Sequence, residues 1–170
     1  PILSLFSFLY KKENVGFTLQ FDDAPSEPIE IAHRTGAPSY KADVNVNEPN
    51  ISTLDSGYQL IEVPLEAIAW GRSGDKGNKA NIGIIARHPN LLPYIWDTFS
   101  EEKIVEIFSH FLENDKIDRH YLPGISGVNY VLHDVLGGGG TTSLRNDPQG
   151  KGYAQILLSC KISVPKNLLV

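Results

Sequence analysis

Two glycine-rich segments hold most of the residues whose types and spacing can do chemistry. The first, WGRSGDKGNKANIGIIAR at residues 70–87, has four glycines and sets Arg72, Lys76, Lys79 and Arg87 against a single acid, Asp75. That is a local +3 in a chain of formal net charge -5. Glycines let the backbone take positive φ and turn its N–H groups toward a bound group, and the guanidinium and ammonium groups supply counter-charge, so a carboxylate or phosphate could be held here. The spacing is not that of a P-loop. It is not a dinucleotide-binding fingerprint either, since the glycines lead into a strand-like run and not a helix. A long hairpin connection with solvated charges fits the same residues. Ser73 lies in R-S-G-D and not in a G-x-S-x-G elbow, so a serine hydrolase has no specific support.

The second segment is HDVLGGGGTTSLRNDPQGKG, residues 133–152. Four successive glycines, Gly137 to Gly140, exceed what a helix stop needs and imply close approach to a ligand or partner, or a mobile flap. His133 and Asp134 are expected in the last turn of a helix, where the dipole favours an imidazolium and disfavours a carboxylate. The pair therefore reads as proton-transfer or ligand-contact residues, or else as a satisfied structural histidine beside an Asp134 bonded by a loop N–H. Neighbouring helical residues point about 100° apart, so the two cannot both aim at one metal. His33, His88, His110 and His120 show no metal-ligand spacing. No cofactor and no metal is assigned, a metal held by Asp75, His133 and Asp134 being the open third option.

The elements that must position these residues follow from periodicity. Apolar residues at Ile2, Phe6, Phe8 and Tyr10, at Val15, Phe17, Leu19 and Phe21, and at Ile29 and Ile31 predict short strands, the first two separated by a turn at 11–14. Residues 35–57 read as an extended or mobile linker. Strands are predicted over 58–63 and 67–70, interrupted by Pro64, and over 82–86. Asn90 is a candidate cap for a helix carrying Leu92, Ile95, Trp96 and Phe99. A second helix carries Ile104, Ile107, Phe108, Phe111 and Leu112, with Thr98 and Glu101 at capping-box spacing and Ser100 as a competing cap. A strand is expected over 117–122. Ile125, Val128, Leu132, Val135 and Leu136 then fall on a helical stripe, and a long strand is expected over 153–164. The order suits an α+β fold, with helices on one face of a mainly antiparallel sheet.

Composition bounds the function. With 170 residues, 41% hydrophobic and 21% charged, the chain has a globular profile. Its acidity argues against a nucleic-acid or membrane-surface partner. No apolar run reaches the roughly 18 to 20 residues of a spanning helix, and no signal-peptide pattern opens the chain, so a cytoplasmic location is expected. Cys160 is the only cysteine and lies in an alternating run, where a buried structural thiol is expected. Residues 1–57 hold four basic and eight acidic side chains and residues 58–170 eleven and twelve, so the leader is the more acidic part.

Taken together and in order, GRSGDKGNKANIGIIAR and YLPGISGVNYVLHDVLGGGGTTSLRNDPQGKGYAQ resemble the C-terminal module of the acyclic terpene utilisation protein A family. The resemblance spans about residues 67–164 and implies a ferredoxin-like fold over 58–170. Residues 1–35 resemble the strand-rich tail of a larger N-terminal domain, and 36–57 would be the linker. The absence of methionine and the start at Pro1 fit a C-terminal fragment, with the N-terminal domain as one expected partner and a homo-oligomer as another. The family implies a place in bacterial catabolism of branched terpenoid and acyl-CoA compounds, hence an acyl-CoA or carboxylate ligand. Carried over by position, Arg72, Ser73, Lys76, Asn78, Asn81, Gly138, Gly139 and Arg145 would bind that ligand. Asp75, His133 and Asp134 would be the proton-transfer candidates. Asn78 departs from the family, which more often has an acidic residue there. A non-catalytic assembly domain is the alternative.

Overall fold

The computed structural model describes residues 8–30, 47–50 and 57–169. These fall into two compact units, the smaller within Phe6–Asn45 and the larger from Val46 onward. In the smaller unit, a 3-10 turn at Lys12–Asn14 precedes β1 (Phe17–Leu19), which pairs antiparallel with β2 (Glu27–Ile29). The expected turn at 11–14 is therefore present, while Phe8 and Tyr10 lie in no strand. Ile2, Phe6, Ile31 and most of the expected linker lie outside the described residues. All three residues of each strand are exposed.

The larger unit runs β3 (Leu60–Pro64), β4 (Ala69–Lys76), β5 (Lys79–Ala86), α1 (Leu92–Thr98), α2 (Glu101–Phe108), β6 (Ile117–Leu122), β7 (Gly127–Leu132), α3 (Tyr153–Ser159) and β8 (Lys161–Pro165). From β5 to β8 this is the strand–helix–strand–strand–helix–strand order of a ferredoxin-like α+β domain, with the first helical connection divided into α1 and α2. One sheet has the order β4-β5-β7-β6, antiparallel throughout. The last strand does not return beside the first. β4 already holds that edge of β5, so β8 pairs with β3 in a separate two-stranded ribbon.

Alternation decides which side of the sheet is core. On β5, Ala80, Ile82, Ile84 and Ala86 are buried, and on β7 Val128, Tyr130 and Leu132 are buried. These side chains share one face, as a period of two requires. The helices cover it, with Ile95 and Trp96 from α1, Ile104 and Phe108 from α2, and Tyr153, Ala154 and Leu157 from α3 all buried. Ser100 caps α2, accepting from the Lys103 amide at 3.3 Å, so the competing cap is the one used. Asn90 caps nothing; its own amide donates to His88 Nδ1 at 3.3 Å. Arg119 on β6 ties the helices down: its guanidinium lies 3.8 Å over the Trp96 ring, donates to the Trp96 carbonyl at 2.7 Å and has Glu101 3.2 Å from its Nε.

Three expectations need correction. The helical stripe at residues 125–136 is a strand: Pro123–Ile125 form a 3-10 turn, Ser126 takes φ 51°, and Val128, Tyr130 and Leu132 then alternate inward. The same apolar residues satisfy both periods, and pairing with β5 and β6 selects the extended one. The long strand at 153–164 is a helix followed by a strand, with Cys160 at the junction. Tyr153, Ala154 and Leu157 make a helical stripe that the 156–164 alternation hides. The Cys160 thiol is half-buried, and burial pushes its pKa up, as suits an unreactive group. The glycine-rich segment at 70–87, lastly, is no open connection. It is two full strands joined by a Gly77-Asn78 turn, with Gly77 at φ 66° in the first turn position.

Ser73 shows how the first motif serves the fold. Buried on β4, its Oγ accepts from the Ala154 amide in the first turn of α3 at 2.9 Å and donates to the Lys151 carbonyl at 3.1 Å. It caps the helix from a neighbouring strand. Ser73→Ala is expected to destabilise the protein by about 1–2 kcal/mol, the range for a lost cap and a buried unsatisfied donor. The shift in a urea unfolding midpoint measures it.

Candidate functional site

The two glycine-rich segments meet, and the contact is made by backbone and amide groups. The Asn78 side chain donates to Asp134 Oδ1 at 3.2 Å and accepts from the Gly138 amide at 2.7 Å. Its backbone carbonyl accepts from the Val135 amide at 3.1 Å. Asp134 stands at φ 47°, just past the end of β7 and not in a helix, and its Oδ2 accepts from Asn114 Nδ2 at 2.7 Å. Both of its oxygens are thus taken by neutral amides. Gly139, at φ 73°, lies so close to the hairpin that a Cβ there would overlap the Gly77 carbonyl. The glycine run therefore lets the loop lie against the turn, and Asn78, Asp134, Gly138 and Gly139 form a lock between them.

His133 sits at the end of β7 and is buried, with Nε2 2.6 Å from Asp118 Oδ2. The ring N–H donates to that carboxylate, and this hydrogen bond, the largest influence, holds the Asp118 carboxyl below its usual value of 3.8. Asp118 is the partner that the helical reading of residues 125–136 hid. Once β7 is a strand, Asp118 on β6 falls opposite Val131, two positions before His133 and therefore on the same face.

Arg145 lies apart from both groups. Its guanidinium donates to the Phe111 carbonyl at 3.0 Å, and Phe111 stacks on Tyr153 with ring centroids 5.0 Å apart. The Tyr153 hydroxyl, its pKa raised by burial, donates to the Val135 carbonyl at 3.1 Å. Asp147 accepts from the Lys151 and Gly152 amides at 2.9 and 2.7 Å and fixes the entry to α3. These residues brace the second loop from beneath.

What remains of the first motif lies along the sheet face opposite the helices. Arg72, Gly74 and Lys76 on β4 pair with Gly83, Asn81 and Lys79 on β5, and Asn81 donates to Asn129 Oδ1 on β7 at 3.2 Å. Arg72, Ser73, Gly74, Asp75, Lys76, Asn81, Gly83 and Lys151 line an open cleft of about 440 Å³. A Cβ on Gly74 would come 3.1 Å from Lys151 Nζ, which puts that ammonium over the strand. Among the described residues neither Arg72 nor Lys151 has an ionic partner. Lys151 is the ligand candidate the residue pattern underweighted, since only the return of the chain to α3 carries it to β4. Asp75 lines this cleft, but His133 and Asp134 do not, so the three proton-transfer candidates do not converge. No group of three or more His, Cys, Asp or Glu among the described residues could hold a metal ion.

Two outcomes test this geometry. Gly139→Ala should cost about 3 kcal/mol, combining overlap with positive-φ strain. Gly140→Ala, at φ 51° but with nothing within 4 Å of the added carbon, should cost only about 1 kcal/mol. Equilibrium denaturation separates them. Because Asp118 titrates below 3.8 when folded, its contribution is present above that pH and is lost as the pH falls through the folded-state value. Asp118→Asn should therefore lower the melting temperature at neutral pH and flatten its decline below pH about 4.

Comparison with curated proteins found no match, and comparison with solved structures found none. A family model described as the AtuA ferredoxin-like domain matches residues 63–163, more than half of the chain, taking in β4 to α3 and the first three residues of β8. With the helix-covered antiparallel sheet and the glycine lock in place, the chain belongs to the AtuA ferredoxin-like domain family.

Proposed function

We infer that this module binds an anionic group, a carboxylate or the phosphates of a CoA ester, in the cleft lined by Arg72, Lys76 and Lys151. It would do so as part of a protein that degrades acyclic terpene or branched acyl-CoA compounds. The observation that carries the reading is the pair of cations, Arg72 and Lys151, brought to one cleft with no ionic partner among the described residues. Asn81 adds an amide, and Gly74 and Gly83 keep the floor open for a bulky oxyanion. Arginine and lysine on an unobstructed strand surface give charge-assisted hydrogen bonds to such a group. The binding is electrostatic and partly solvated, so it should weaken as salt rises.

The reading assigns no chemical step to Asp134, whose carboxylate oxygens are occupied by the Asn78 and Asn114 amides. His133 and Asp118 remain a hydrogen-bonded pair able to relay a proton, but they do not line the cation cleft. A second reading, an assembly domain, is supported by the apolar end of the same sheet face. There Trp70 is 54% exposed, Ile85 38% and Leu122 36%. A homo-oligomer is the corresponding partner.

Calorimetric titration with CoA and with a short branched acyl-CoA tests the binding reading. The wild-type chain should bind, and Arg72→Ala combined with Lys151→Ala should weaken binding at least tenfold, the loss expected for charge-assisted contacts, while moving the melting temperature by no more than a surface change does. Equal affinity in the double variant would remove the cleft from consideration. A mass that shifts from oligomer to monomer on Trp70→Glu would favour the assembly reading.

A further inference from the structure

We propose that the seam between the β3–β8 ribbon and the main sheet is a binding pocket for an aliphatic monocarboxylate, separate from the cation cleft and independent of that reading. The pocket has a topological origin. Because β8 pairs with β3, the 3-10 turn Leu65–Ala67 must bridge the ribbon and β4, and the 3-10 turn Lys166–Leu168 closes the chain over the same place. Between them lies a cavity of about 500 Å³, within the roughly 300–1,000 Å³ of small-molecule pockets.

Its lining divides by chemistry. Val63, Ala67, Ile68, Leu91, Leu168 and Leu169 make it apolar, with Ile68 and Leu91 almost fully buried as the floor. Arg87, His88 and Asn167 supply the only polar side chains. Arg87 is held in place: its amide donates to the Ile68 carbonyl at 2.8 Å, its guanidinium donates to the Glu66 carbonyl at 3.2 Å, and it lies 4.6 Å from the centre of the Trp70 ring. Among the described residues no carboxylate pairs with it. His88 Nδ1 accepts from the Asn90 amide, which leaves the ring hydrogen on Nε2 as a second donor.

An apolar floor with an oriented guanidinium and an imidazole N–H at its edge suits a ligand with an aliphatic body and one carboxylate. A purely apolar ligand would add no counter-ion to Arg87, which has none among the described residues. A small acid such as acetate would leave the floor unfilled. The matching group has both parts, and its affinity depends on both.

Isothermal titration of the full chain with octanoate, 1-octanol and acetate tests the proposal. Octanoate should bind, and octanol and acetate should each bind at least tenfold more weakly. Arg87→Gln should weaken octanoate at least tenfold, and Ala67→Phe, which adds a ring from an exposed position at the rim, should weaken it comparably without lowering the melting temperature. The proposal is overturned if octanol binds as well as octanoate, or if both variants bind like the wild type. It is also overturned if octanoate binding is lost in Arg72→Ala yet kept in Arg87→Gln, since the carboxylate would then sit in the other cleft.

Discussion

The absence of a side chain at Gly139 is the constraint on which the candidate site depends. Only because nothing projects there can the second loop lie on the Gly77 carbonyl, and only then does the Asn78 amide reach both Asp134 and the Gly138 N–H. Losing that approach would strand a carboxylate, an amide side chain and three backbone groups together. The cost would exceed that of any one hydrogen bond, because each partner is also the satisfier of another. A motif rich in glycine, asparagine and aspartate thus acts first as a joint that sets where the β4–β5 hairpin ends and where the loop toward α3 begins.

The joint explains why cations gather on β4. Once the loop is pinned at the hairpin turn, the chain has residues 140–152 in which to reach α3, which rests on β4 by way of Ser73 and the Ala154 amide. Lys151, immediately before the helix, is thereby carried over Gly74 and beside Arg72. Its position follows from the cap at one end and Asp147 at the other. In a chain of net charge -5, two cations with no ionic partner among the described residues are a local exception produced by architecture, and it is this exception that the proposed anion binding rests on.

Much of the fold is legible in the residues. Residues 60–63 of the expected 58–63 strand and the runs at 82–86 and 117–122 lie in strands, the stripe through Ile104 and Phe108 is a helix, and Ser100 is its cap. The errors share one cause. Around Val128 and around Tyr153 the apolar residues are dense enough to satisfy both a period of two and one of 3.6, and tertiary pairing decides between them. A helical period over 125–136 places His133 and Asp134 at a helix end, whereas the pair is split between Asp118 on one side and two asparagines on the other. The resemblance to the family rests on the identity and order of glycines and charges, which do not depend on the secondary structure they adopt, and the family model matches the same stretch.

The same topology leaves the module two unlike concavities. β4 takes the edge of β5 that β8 would otherwise occupy, so the sheet gains an outer strand carrying Arg72 while the displaced β8 opens a seam against the β3 ribbon. The cleft on β4 is lined mostly by polar and charged residues, its cations having no ionic partner among the described residues; the seam is lined mostly by aliphatic side chains, with one guanidinium among them. Trp70, at the start of β4, and Arg87, just past the end of β5, stack on each other. A single strand insertion into a ferredoxin-like order therefore accounts for both of these places where, among the described residues, a cation has no ionic partner. Each follows from where the backbone had to go before any ligand is considered.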